Sequence, residues 1–248
     1  MVKGKVLVTA NRDLGAQLFN SIESGHILEA PLENYASFIP KEEEDALLNS
    51  LNTFTFIIHG NLLNAKYFVD WMNSQSLLST MQHRIHLTVD QLTADFLESK
   101  KIPAIVFRNT GKPIDVMEFM LRISKQGNSL YPTADGKTEE MPALLKELDM
   151  PVFEFPICKE RSLEKEELKD FRKTFKKEPV EAILIHNRSA LTRIKTALPD
   201  LNLADYKLIS GSRGVTQKLH EEDLNPVIQA EGNWPSITDV VQEVLVGE

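Results

Sequence analysis

The sequence predicts an α/β protein of two similar lobes, each built on a parallel sheet, joined by two extended connectors and leaving a cleft between them. Three observations carry that expectation. Short apolar runs alternate with amphipathic stretches from end to end, the pattern of strand-helix-strand units whose strands are buried on both faces. Two segments, 27–40 and 151–161, break the alternation; both are extended in character and set proline beside an apolar residue, Pro31-Leu32 and Pro156-Ile157. Short matches also recur about half a chain apart: Thr9-Ala10-Asn11 with Thr133-Ala134-Asp135, Ala30-Pro31-Leu32 with Phe155-Pro156-Ile157, and Ile57-Ile58-His59 with Leu184-Ile185-His186. A common offset across weak matches marks a duplicated unit, and a ligand site is expected where the strand ends of two such units face each other.

Taken in order, Lys5–Thr9, Phe54–His59, Arg84–Val89, Ala104–Arg108, Ser129–Tyr131, Ala182–His186, Tyr206–Ile209 and Pro226–Ala230 read as brief strands rich in Val, Ile and Leu. Helical patterns fill the gaps at Asp13–Glu23, Leu62–Ser74, Gln91–Ser99, Ile114–Lys125, Thr138–Leu148, Glu164–Phe175, Ser189–Ala197, Gly214–Glu221 and Ser236–Val246. In the first of them Leu14, Leu18, Phe19 and Ile22 form one apolar face. The acids Glu42-Glu43-Glu44-Asp45 mark another helix start, where the dipole favours negative charge. Right-handed crossovers between such strands make each lobe Rossmann- or flavodoxin-like.

Composition narrows the function classes. A net charge of −8 opposes a nucleic-acid surface, which needs clustered Lys and Arg. No run approaches the roughly 20 apolar residues of a membrane span, and the start, Met1 to Lys5, leads directly into a short strand without a signal-peptide core. The single cysteine, Cys158, allows no internal disulfide. The expectation is a cytoplasmic monomer that binds neither nucleic acid nor membrane. Neither a dinucleotide fingerprint nor a P-loop is present, so no nucleotide cofactor is expected. His59, His83, His86 and His186 lack an accompanying Cys or carboxylate set, and no metal is expected.

The strand ends hold the candidate chemistry, because helix N-termini there present free N–H groups to ligands. Thr9, Asn61, Thr93, Thr133, Ser189 and Ser212 fall at these positions, where each suits an N-cap as well as a ligand contact. The cations are less ordinary: Arg12, Arg108, Lys112, Lys137, Arg188 and Arg213 stand at helix starts, against the macrodipole. Either an anionic ligand lies beside them or their long side chains reach into solvent.

These residues carry a family resemblance. Lys5-Val6-Leu7-Val8-Thr9, a helix and then Pro31-Leu32 are similar to the opening of the uroporphyrinogen-III synthases. Val89–Leu97 resembles their Thr-Ala segment, and Ser129–Pro132 leading to Glu140–Leu144 their Leu-Pro segment. Phe155–Cys158, Ile185–Leu191, and Ala230-Glu231 with Pro235–Ile237 follow in the same order. The sequence departs from the pattern at Ala10, where arginine is usual, at His59 and His186, and at Cys158, which stands in place of a tyrosine.

The resemblance implies one lobe from 1–32 plus 160–248 and another from 34–157. It implies cyclisation of hydroxymethylbilane, a linear tetrapyrrole, to uroporphyrinogen III with inversion of the last ring, loss of water and no cofactor. Thr9, Asn61, Thr93, Thr133, Ser189 and Ser212 would then donate hydrogen bonds, while Arg12, Lys137, Arg188 and Arg213 would hold substrate carboxylates. The resemblance identifies no catalytic acid. The alternative is a synthase-like protein that binds a small polyanion without catalysis.

Overall fold

The computed structural model describes residues 4–107, 113–124, 127–137 and 139–247. The strand end at Arg108–Lys112 lies outside these residues. The chain divides into two compact units, Met1–Asn34 with Arg161–Glu248 and Tyr35–Glu160.

The first unit holds a five-stranded sheet of β1 (Lys5–Val8), β2 (Ile27–Glu29), β9 (Val180–Ile185), β10 (Lys207–Ser210) and β11 (Ile228–Gln229). Their order is β11-β10-β9-β1-β2 and every neighbouring pair is parallel. Strand periodicity assigns the faces. Val6, Val8, Ala182 and Leu184 pack with α1 (Ala16–Ser21) and α11 (Trp234–Val246). Leu7, Ile183 and Ile185 pack with α8 (Lys165–Lys177), α9 (Arg188–Ala197) and α10 (Arg213–His220). Both faces are covered, as a parallel sheet requires. Helix α1 is shorter than its apolar pattern, because Asn11 Oδ1 accepts from the Asp13 N–H at 2.9 Å and turns the chain before the helix begins.

The second unit carries β3 (Asn34–Ser37), β4 (Phe54–His59), β5 (Ile85–Thr88), β6 (Ala104–Val106), β7 (Asn128–Ala134) and β8 (Val152–Arg161), in the order β3-β8-β7-β4-β5-β6. Strands β4 to β8 pair in parallel. Between them run α2 (Lys41–Ser50), α3 (Leu62–Ser74), α4 (Leu78–Met81), α5 (Gln91–Ser99), α6 (Pro113–Ser124) and α7 (Glu140–Glu147). Phe56 and Ile58 of β4 face α6 and α7, while Ile57 and His59 face the other side, where His59 meets Phe68 of α3.

The extended segments do more than connect. Segment 27–40 supplies β2 to the first sheet and β3 to the second, and 151–161 is β8. Their backbone groups find sheet partners instead of running unpaired. Proline shapes two of these pairings. Pro156 sits beside a register shift between β7 and β8, where a residue without an N–H is tolerated. Pro132 lies inside β7, and the ladder from β7 to β4 ends at Ile57–Leu130. With no N–H to offer, Pro132 cannot continue it. The β4–β7 ladder therefore stops short of both strands' C-terminal ends.

Candidate active site

Ligands in an open parallel sheet bind beyond the C-terminal strand ends, where the direction of the crossovers reverses. That reversal falls between β1 and β9 in the first sheet and between β4 and β7 in the second.

In the first unit, Thr9 follows β1 directly and is buried, its hydroxyl without a partner among the described residues. Arg12 is exposed, pairs with Glu29 and lies over the Phe19 ring. Asn187, not Ser189, caps α9, accepting from the Ala190 N–H at 2.8 Å; Ser189 is exposed. Arg188 donates from Nε to the Gly214 carbonyl at 3.0 Å, which brings the starts of α9 and α10 together. Ser212 caps α10 through the Val215 N–H at 3.3 Å, and Arg213 beside it is exposed. Close approach here needs a glycine: a Cβ at Gly211 would stand 2.5 Å from the His186 carbonyl oxygen. His186 itself stacks on Trp234 with centroids 5.8 Å apart and meets the buried Glu33 at 2.8 Å.

In the second unit, Asn61 caps α3, accepting from the Asn64 N–H at 2.8 Å. Thr93, expected as a donor to substrate, is fully buried, and its hydroxyl donates to Asp90 Oδ2 at 2.7 Å while Asp90 caps α5. A hydroxyl has one proton, so Thr93 contributes to the helix start. Lys137 pairs with Glu160 at 2.8 Å.

Thr133 belongs to a larger constellation. Its hydroxyl donates to Glu139 Oε1 at 3.0 Å, the Tyr131 phenol donates to Glu139 Oε2 at 2.5 Å, and Asn64 Nδ2 donates to Oε1 at 3.1 Å. Tyr131 and Thr133 share one face of β7 because they are two residues apart. Burial and the neighbouring Glu139 charge push the Tyr131 phenol well above its ordinary pKa, so it remains a donor. Cys158 closes the set, its thiol 3.7 Å from Asn64 Oδ1 and pushed up to about 12, by burial first and by Glu139 second. Such a thiol is neither a nucleophile nor a useful acid near neutrality.

Next to this set, His59 Nε2 and His86 Nδ1 lie 3.0 Å apart, and His86 Nε2 meets the Met81 carbonyl at 3.0 Å. A carbonyl only accepts, so His86 Nε2 carries its proton, His86 Nδ1 accepts from His59 Nε2–H, and His59 Nδ1 is left bare and buried. Both rings are held neutral by burial, His59 well below its ordinary value with His86 adding to the effect, and His86 down to about 4. Among the described residues no group of three or more His, Cys, Asp or Glu is placed to hold a metal ion.

The family model described as Uroporphyrinogen-III synthase HemD matches residues 23–236. The chain belongs to the uroporphyrinogen-III synthase family. As a member it is a cyclising synthase of tetrapyrrole biosynthesis, of the lyase class. Its fold is that of solved members. The uroporphyrinogen-III synthetase from Helicobacter pylori 26695 is 12% identical and aligns over 97% of this chain and 99% of that one, with a TM-score of 0.64. A mutant uroporphyrinogen III synthase from the extremely thermophilic bacterium Thermus thermophilus is 13% identical over 99% and 100%, with a TM-score of 0.53. No curated protein matches the sequence.

Asn64, Tyr131 and Glu139 form part of the Thr133 constellation without having been singled out by sequence reasoning. The alternation along β7 could have paired Tyr131 with Thr133. Glu139 stands where a helix cap is expected, and no sequence signal tells that its side chain turns the other way.

Proposed function

We propose that this protein is a uroporphyrinogen-III synthase that cyclises hydroxymethylbilane to uroporphyrinogen III, inverting the last ring and releasing water, without a cofactor. The family match over residues 23–236 carries this reading. The exposed Arg188 and Arg213 at helix starts, with the exposed Arg12 in the turn after β1, supply positive charge for acetate and propionate groups. Thr9 has a buried hydroxyl without a partner among the described residues, and an unpaired buried hydroxyl is costly. Exposed Ser189 adds a donor, Asn61, Thr93 and Ser212 hold the helix starts in place, and Thr133 and Lys137 act through Glu139 and Glu160.

The hydroxymethyl group loses its hydroxyl as water, an azafulvene forms on the carbon left behind, and the last ring attacks through a spiro intermediate. The pyrroles drive these steps, so the protein's work is to hold one conformer and exclude simple ring closure. One observation favours a second reading, binding of a polyanion without catalysis: Cys158, at the position of the family tyrosine, is buried with its thiol pushed up to about 12.

Hydroxymethylbilane generated in situ, followed by oxidation and chromatography of the porphyrin isomers, separates the two. Isomer III in excess of the protein-free blank is the expected result. Isomer I alone rejects synthase activity, and retention of the bilane by the protein would then favour the second reading.

A further inference from the structure

An acid at the N-cap position ordinarily accepts from its own helix. Glu139 occupies that position before α7 and makes no such bond; its carboxylate turns instead to Tyr131, Thr133 and Asn64. All three partners are buried and all three donate. Cys158 passes its thiol proton toward Asn64 Oδ1, which fixes the amide with its NH2 toward the carboxylate. A carboxylate offers about four lone-pair positions. Oε1 uses two and Oε2 one, leaving a position on Oε2. The backbone packs directly against this set at Gly60, where a Cβ would collide with the Tyr131 hydroxyl and stand 2.9 Å from Oε2. Glu139 itself is half-buried, within reach of solvent.

A negative charge held this firmly opposes a substrate carboxylate. It favours a part of the ligand that donates N–H or becomes positive. We infer that Glu139 is a catalytic residue, accepting a pyrrole N–H and stabilising the cation that forms as the hydroxymethyl group ionises, with Tyr131, Thr133 and Asn64 as positioning residues. This rests on the synthase reading. In the step, the C–O bond breaks with its electron pair on oxygen, and the departing hydroxide takes a proton from solvent to become water. The pyrrole nitrogen lone pair forms the new double bond, and the N–H of the resulting azafulvenium points at Oε2. The ring proton lost after carbon–carbon bond formation returns to solvent, so the sum is loss of water.

The test compares wild type with Glu139→Gln, measuring isomer III formation and the binding of a linear bilane that carries methyl in place of hydroxymethyl and so cannot ionise. Stabilisation of transition-state charge predicts a fall in kcat of about 100-fold, with KM not raised and bilane affinity unchanged. A kcat within about threefold of wild type, or a parallel loss of bilane binding, overturns the assignment. An inactive wild type rejects the synthase reading and this inference together; an active wild type with an unimpaired variant rejects this inference alone. Should Glu139→Gln not fold, Tyr131→Phe keeps the buried ring and removes one donor: a fall in kcat of about tenfold at constant KM is expected, and an unchanged kcat overturns the assignment.

Discussion

His59 and His86 show how little a single position says before its neighbours are known. Each ends or occupies a strand, and the register sets His86 beside Ile57 and Thr88 beside His59; the two rings thus share a face and stack 5.3 Å apart. Nothing in sequence spacing predicts that meeting, because it depends on which strands pair. Its consequence is thermodynamic. Folded, both rings stay neutral, His86 down to about 4; unfolded, they titrate near 6.5. Between those values the unfolded chain binds more protons. Stability is therefore complete above the unfolded value and falls as pH drops toward 4, by up to ~1.4 kcal/mol per pH unit for each ring. Urea midpoints measured from pH 7 to pH 5 should fall for wild type and fall less for His59→Leu/His86→Leu. Equal slopes would show that the pair does not couple to folding. Thr93 teaches the reverse lesson: its place in a family-like motif was legible, its hydroxyl bond to Asp90 was not.

At the scale of elements, the sequence was more readable. Leu62–Ser74 and Gln91–Ser99 form helices over the stretches their periodicity marks, since apolar spacing and strong Asn and Asp caps agree there. Where local and tertiary signals differ, the bounds shift. Strand β7 runs past Pro132 because β8 continues to pair with it on one side, and β2, β3 and β8 were visible only as extended chain because their partners are distant in sequence. Polar residues at strand ends proved largely to be caps: Asn61, Asp90, Asn187, Ser212 and Asn233 each accept from a helix N–H. Removing one should cost ~1 kcal/mol. Asn233→Ala, remote from the Glu139 constellation in sequence and in unit, tests this by urea denaturation; a loss below about 0.3 kcal/mol would mean that the α11 start is held by Pro235 and packing alone.

For the whole molecule, the internal repeat and the strand orders explain each other. Sheet one reads β2-β1-β9-β10-β11 and sheet two, omitting its edge strand β3, reads β8-β7-β4-β5-β6. The matched segments set Thr9 after β1 against Thr133 in β7, and the end of β4 against the end of β9. Each sheet therefore combines one two-strand piece with one three-strand piece, drawn from opposite copies of the repeat. The offset was legible in the sequence; the exchange of pieces was not, because weak matches carry no information on pairing. One consequence is testable. The stretch 34–161 is contiguous and holds a whole sheet, so expressed alone it should unfold cooperatively in urea with coincident fluorescence and circular dichroism transitions. Non-coincident transitions would show that it depends on the rest of the chain.

The exchange also orders events on the ribosome. Strand β1 finds its partner β9 only after Val180–Ile185 has been synthesised, whereas β4 to β8 can assemble as soon as Arg161 is free. At ordinary elongation rates the delay between making β1 and making β9 is on the order of ten seconds. Throughout that interval Val6, Leu7 and Val8, all fully buried in the finished protein, can pair with β2 on one side only, and the side that β9 will take stays open. The segment most exposed to misassembly during birth is thus β1, and it is the one on which a chaperone would have most to act.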